Sequence, residues 1–184
     1  DGKNIAPFYS EITLWKNRFN PNNYAEVVRV TYDSERTTAE RILRHFFESH
    51  DPTQVNRQGN DLGTQYRSII LTTSEYQEQI ARRVLNEYQE LLEKSGYGKI
   101  STLIKRLEKF YKAEEYHQDY LVKNPDGYCP DYSTGVRFKK KETYFSDNSE
   151  LIKGKDILVV EAEDCPYCKK FREDVISAYK GSIP

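Results

Sequence analysis

The sequence has no methionine, a single tryptophan and only three cysteines among its 184 residues. With methionine absent and Asp1 in first place, the natural start codon is not represented, and the chain reads as a trimmed piece of a longer protein. Long apolar runs are also missing. No stretch approaches the ~20 residues of a membrane span, and residues 1–10 have neither the basic start nor the apolar run of a secretory signal, so a soluble chain is expected. Charge of one sign is lacking too, with 28 Lys+Arg against 29 Asp+Glu. A net charge of −1 offers no basic field to hold phosphate backbones, which excludes nucleic acid as the expected partner. The cysteines, Cys129, Cys165 and Cys168, are odd in number and confined to the C-terminal third. They do not form the even framework of a small disulfide-stapled fold, and their placement points to thiol chemistry.

What is present is a polar surface and an aromatic interior: mean hydropathy is −0.84, yet there are 15 Tyr and 8 Phe. Residues 27–32 are β-branched and read as a strand. Residues 38–47 then place Ile42, Leu43, Phe46 and Phe47 at helical spacing, and His50-Asp51-Pro52 ends that helix. Residues 53–65 form a polar stretch with Gly59 and Gly63, too long for a simple turn and of the kind that carries function. A second strand is expected over 67–72, followed by a long helix opened by the capping pattern of Ser74 and Gln77 and stopped by Gly96 and Gly98. Residues 100–110 fit helix and strand equally well by period. Residues 112–123 read as a helix with Tyr116, Tyr120 and Leu121 as its core stripe, closed by the turn Asn124-Pro125-Asp126-Gly127.

The loop Asn56-Arg57-Gln58-Gly59-Asn60-Asp61-Leu62-Gly63-Thr64-Gln65-Tyr66-Arg67-Ser68 resembles the signature of the A-type peptide methionine sulfoxide reductases. His50-Asp51-Pro52 before it, Ala113-Glu114-Glu115-Tyr116-His117-Gln118-Asp119 after it and Asn124-Pro125-Asp126-Gly127-Tyr128-Cys129 at the end occur in that family's order. The resemblance covers residues 7–132. It implies an α+β fold, a two-layer sandwich with a mixed sheet and a ferredoxin-like reductase core, and so resolves residues 100–107 as a strand.

The resemblance also implies roles. Glu26, in Tyr24-Ala25-Glu26, would be the catalytic acid; a carboxyl at a strand end against apolar walls has its charged form disfavoured, so it can hold a proton near neutrality. Tyr66 and Tyr9 would donate hydrogen bonds to the sulfoxide oxygen, and Asp61 would organise the loop and a water. Cys129 would be the recycling cysteine that resolves a sulfenic acid into a disulfide. Tyr9 stands seventeen residues before Glu26, about five more than the family shows, which implies an insertion around residues 15–23. The family's nucleophile is a cysteine in a Gly-Cys-Phe-Trp turn well before the catalytic glutamate. None of the 25 residues before Glu26 is cysteine, so that segment is expected upstream in a longer protein.

Residues 133–154 are rich in Lys, Ser, Asp and Asn and read as a tail or linker between residues 1–132 and a second unit, 155–184. There a buried strand over 157–160, then Cys165-Pro166-Tyr167-Cys168, then an amphipathic helix resemble the opening of a thioredoxin-like domain. A cysteine at a helix N-terminus has its thiolate favoured, as a redox pair requires.

These residues together imply a reductase of peptide-bound methionine S-sulfoxide in oxidised proteins and peptides. It would need no metal and no organic cofactor, and would draw electrons from thioredoxin, from a fused thioredoxin-like unit or from another dithiol. Such chemistry suits the cytosol or, given a donor, a bacterial periplasm. Three alternatives remain. The chain could be a remnant that binds the sulfoxide without turning it over, or a thiol-disulfide oxidoreductase acting through Cys165 and Cys168. It could also be a rearranged enzyme in which strand 157–160 and Cys165 fill the vacant strand-and-nucleophile position.

Overall fold

A computed structural model describes residues 6–34, 37–128 and 131–139, and the backbone of 155–159. The order is α1 (Tyr9–Ile12), a 3-10 turn (Trp15–Asn17), β1 (Val28–Tyr32), α2 (Ala39–Ser49), β2 (Arg57–Gln58), β3 (Asp61–Leu62), a 3-10 turn (Thr64–Tyr66), β4 (Ile69–Thr72), α3 (Glu75–Lys94), β5 (Leu103–Arg106), a 3-10 turn (Glu115–His117), α4 (Tyr120–Lys123) and β6 (Lys155–Val159).

Four strands form a mixed sheet in the order β1-β6-β4-β5. β6 is antiparallel to both neighbours, with Val159 opposite Val28 and Ile70, whereas β4 and β5 run parallel with Ile70 opposite Ile104. All four residues of β4 are buried, as a strand covered on both faces requires. β1 alternates half-buried Val28 and Val30 with exposed Arg29 and Thr31. Helices α2 and α3 pack on each other and on the sheet. Phe46, Phe47, Val84, Tyr88 and Leu92 from the helices and Ile69 and Ile70 from β4 form the centre of the core.

Helix limits follow from local chemistry. Thr38 caps α2 by accepting the Arg41 N–H, and Ser74 caps α3 by accepting the Gln77 N–H. Past α3, Gly96 takes φ +84°, which a Cβ would oppose. Arg44, 4% exposed, bonds Glu40 at 3.1 Å and both carboxylate oxygens of Glu87 at 2.6 Å, clamping α2 to α3. His50 donates from Nδ1 to the Phe46 carbonyl and accepts at Nε2 from the Ser68 hydroxyl, which in turn contacts Thr102. That chain ties the end of α2 to β4 and β5.

Several sequence expectations change. Residues 53–65 are not one irregular loop but hold the β2–β3 hairpin, whose two-residue strands are too short to leave a period. The strand expected over 67–72 starts at Ile69. No continuous helix spans 112–123: Glu114 is extended and Asp119 takes φ +52°, which splits the segment into a 3-10 turn and the four-residue α4. Tyr116, expected in the core, is 59% exposed, and Tyr120 is half-buried. Residues 133–138 run against the helices: Tyr88 donates to Val136 O at 3.1 Å, Phe138 stacks on Tyr88 at 4.9 Å, and the Arg44 guanidinium lies 4.3 Å from the Phe138 ring. The strand expected over 157–160 forms at Lys155–Val159, inside the same sheet as β1 and β4. Residues 160–184, with Cys165, Cys168 and the helix expected after them, lie outside the described residues, as does Cys129. Among the described residues no helix is long and apolar enough to cross a membrane.

Candidate active site

The starts of β1 and β4 lie at one end of the sheet, and the loops entering them carry the candidate residues. Glu26 stands two residues before β1. Its N–H donates to Gln65 O at 3.0 Å, which joins the entry of β1 to the signature loop. Its Oε1 is shielded from solvent. Tyr66 closes the 3-10 turn before β4, and its hydroxyl lies 3.5 Å from that of Tyr9 on α1.

The loop takes this path because two glycines permit it. Gly63 has φ +148°, and a Cβ there would meet Gln65 Oε1 at 2.3 Å. Gly63 therefore leaves room for the buried Gln65 amide against the backbone, while the Gly63 carbonyl accepts the Tyr66 N–H. Gly59, at φ +56°, is covered by the Tyr132 ring, 2.0 Å from where a Cβ would stand.

Electrostatics keep Tyr66 protonated. Burial is the main cause that raises its pKa, and the charges of Glu26 and Asp61 add to it; contacts with Tyr9 and Gln65 act in the opposite direction. Asp61, on β3, is itself raised by burial. The site thus presents phenolic O–H donors beside two carboxyl groups. Such donors stabilise negative charge developing on a bound oxygen.

Tyr9 is braced from a segment for which the sequence promised a plain helix. Its N–H donates to Glu114 Oε1 at 2.8 Å, and its ring packs on His117 at 4.4 Å. His117, in turn, stacks on Tyr116 at 4.2 Å, and burial lowers its pKa against the opposing pull of Glu114. His117 is read from sequence as a hydrogen-bonded structural histidine, and here its ring supports Tyr9. Glu114 and Gln65 were missed as site residues, although both stand within the motifs that carried the resemblance.

Geometry therefore brings Tyr9, Glu26, Asp61 and Tyr66 to one end of the sheet. The segment on either side of Cys129 is anchored there too. Tyr128 feels the Asp61 charge and the Asn60 side chain, and its hydroxyl meets that of Tyr132 at 2.5 Å. Among the described residues no group of three or more His, Cys, Asp and Glu is arranged to hold a metal.

Residues 1–149 match the family model described as peptide methionine sulfoxide reductase. The chain is 50% identical over 130 residues to the mitochondrial peptide methionine sulfoxide reductase of Rattus norvegicus, covering 71% of this chain and 54% of that protein. It is 48% identical over 135 residues to the Homo sapiens protein of the same name, covering 73% and 55%. A solved structure, methionine sulfoxide reductase A of Corynebacterium diphtheriae, aligns with TM-score 0.62 at 41% identity, covering 73% of this chain and 65% of that one. The chain spans about half the length of the curated relatives it matches.

Proposed function

The chain belongs to the peptide methionine sulfoxide reductase family, and on that premise we propose that its site reduces the S epimer of methionine sulfoxide in oxidised proteins and peptides. The observation that carries this reading is the convergence of the Tyr9 and Tyr66 hydroxyls beside Glu26. The sulfoxide oxygen lies between the two phenols, and Glu26 supplies a proton to it. Sulfur becomes electrophilic as that oxygen is protonated.

The thiolate of the family's nucleophilic cysteine, a fourth thiol beside Cys129, Cys165 and Cys168, then attacks sulfur and the S–O bond breaks. The thiol is oxidised by two electrons to a sulfenic acid that keeps the oxygen, and the sulfoxide leaves as methionine. Cys129 attacks the sulfenic sulfur, forming a disulfide and releasing water, and a dithiol reductant restores both thiols. Anchoring of Tyr128 and Tyr132 on residues 59–61 supports this role, because it holds both flanks of Cys129 at the site. Thiols carry all the electrons, so the scheme uses no metal or organic cofactor. In this scheme residues 1–132 form the reductase unit with β6 inserted in its sheet, the sheet and helix pair are its two layers, and Cys165 and Cys168, which follow β6 in the chain, are the dithiol that re-reduces Cys129.

A second reading concerns the attacking thiol, and the pairing of β6 favours it. Val159 ends β6 opposite Val28 and Ile70, near the strand entries that carry Glu26 and Tyr66. Cys165 follows six residues later, a span of at most ~20 Å. Cys165 is then the nucleophile, with its strand in the sheet. The test is turnover of a methionine S-sulfoxide peptide under dithiothreitol by the wild type, Cys129→Ser and Cys165→Ser. If Cys165 attacks, Cys165→Ser abolishes methionine formation, whereas Cys129→Ser retains the first turnover. Turnover surviving Cys165→Ser retires the second reading; a folded chain that makes no methionine is an incomplete reductase without its nucleophile, or a binding remnant.

A further inference from the structure

The segment between Tyr9 and Glu26 does more than span the distance. Its first part, residues 15–19, is clamped to the signature loop. Arg18 O accepts the Thr64 N–H at 2.8 Å, Asn17 O accepts the Thr64 hydroxyl at 3.1 Å, and Arg18 Nε donates to Leu62 O at 3.0 Å. Asparagines fix its shape from within: Asn17 donates to Glu11 O at 2.6 Å, and the buried Asn23 donates to Ile12 O at 3.0 Å. Despite this scaffold, Trp15 is 74% and Phe19 70% exposed. They stand edge to face at 6.4 Å, with the Arg18 guanidinium 5.0 Å from the Trp15 ring. Leu14, next to Trp15 in the chain, and Leu62, whose carbonyl accepts from Arg18, are exposed as well.

A backbone this heavily hydrogen-bonded could have turned its aromatics inward, yet it holds them in solvent in a fixed arrangement. Preordered aromatic side chains lose little freedom on binding, and clustered exposed apolar groups mark contact surfaces. Position names the occupant. The loop residues that anchor this platform, 62–64, run directly into Tyr66, and α1, which carries Tyr9, leads into it from the other side. The platform is therefore continuous with the rim of the oxygen-binding site.

We propose that Trp15, Arg18 and Phe19 form a docking platform for the polypeptide flanking the methionine sulfoxide, selecting substrates with an apolar or aromatic side chain within a few residues of the oxidised methionine. This rests on the reductase reading and adds to it a sequence preference. Arg18, stacked on Trp15 and bonded to Leu62 O, holds the indole plane in place.

Trp15 is the only tryptophan of the chain, so its fluorescence reports on this surface alone. The experiment titrates the full chain with ten-residue fluorescein-labelled peptides, following peptide anisotropy, and with their unlabelled counterparts, following Trp15 emission. Each peptide has one central methionine S-sulfoxide, flanked by Leu and Phe or by Gly and Ser; matched peptides carry unoxidised methionine. The proposal expects about tenfold tighter binding with apolar flanks and a shift of Trp15 emission. A Trp15→Ala/Phe19→Ser variant should lose the flank preference and still bind the Gly/Ser sulfoxide peptide within about twofold. Equal affinity for both flank types, with sulfoxide preference intact, overturns the platform and leaves the reductase reading standing. Flank preference without any sulfoxide preference overturns the reductase reading instead. A concentration-dependent dimer abolished by the double variant assigns the surface to a second copy of the chain and also overturns the proposal.

Discussion

Replacing Tyr66 by Phe separates catalysis from stability. The substitution deletes one hydroxyl and leaves the ring, so packing around the half-buried side chain is preserved. Of the contacts it breaks, with Gln65 and with Tyr9 OH, the hydrogen bond to Tyr9 is long at 3.5 Å. Its loss is worth at most about 0.5–1 kcal/mol of folding stability, a shift of only a few degrees in Tm for a chain of this size. Catalysis loses far more. Deleting one donor to a developing oxyanion lowers kcat by about 10²–10³. The low end, about 10² or ~2.7 kcal/mol, applies here because Tyr9 and Glu26 remain. The assay is methionine formation from an S-sulfoxide peptide under dithiothreitol, with kcat and KM measured from pH 6 to 9 and a melt of each protein. Since burial raises the Tyr66 pKa above its ordinary value near 10, the wild-type profile should show no loss of this donor over that range. A kcat within about threefold of wild type, or a Tm loss large enough to explain the inactivity, would refute the assignment of Tyr66 as an oxygen donor.

Three further predictions concern the scaffold. Arg44→Met should destabilise the protein by about 3 kcal/mol in urea unfolding, because it strips buried Glu40 of a partner and unclamps α2 from α3; a change under 1 kcal/mol would contradict this. Burial pushes the Tyr88 pKa up to about 12 against contact with Thr134. The folded state then holds its proton longer than the unfolded chain does, so stability that is intact below pH 10 declines as pH rises toward 12. Tyr88→Phe should flatten that decline in melts across pH 9–12. Gly59→Ala drives a methyl into the Tyr132 ring. It should slow disulfide formation by Cys129 in stopped-flow assays several-fold more than it slows the first release of methionine.

The candidate site residues came from the resemblance carried by the signature loop, and the structure brings Tyr9, Glu26, Asp61 and Tyr66 to one end of the sheet. Within that loop Gly59 and Gly63 sit at positive φ, which suits the glycines the sequence has there. Helices α2 and α3 were legible from period, and α3 also from its cap, since Ser74 accepts the Gln77 N–H as the capping pattern expects; the Thr38 cap of α2 went unread. What escaped depends on contacts distant in sequence. Residues 112–123 carry a helical pattern, but Glu114 and His117 spend their side chains on Tyr9, more than a hundred residues earlier, and the backbone follows that demand. Residues 157–160 have the apolar composition of a buried strand, yet nothing local says which sheet β6 joins; its partners begin at Val28 and Ile69. The exposure of Trp15 and Phe19 was equally hidden, because it depends on backbone bonds from Asn17 and Asn23 that no local pattern announces.

The most direct test of the account is calorimetric titration of the chain with the S and R epimers of one methionine sulfoxide peptide, since it does not depend on which thiol attacks. The account predicts that the S epimer binds at least about tenfold tighter, and that Tyr66→Phe removes most of this preference. Equal affinities for the two epimers, unchanged by Tyr66→Phe, would contradict it.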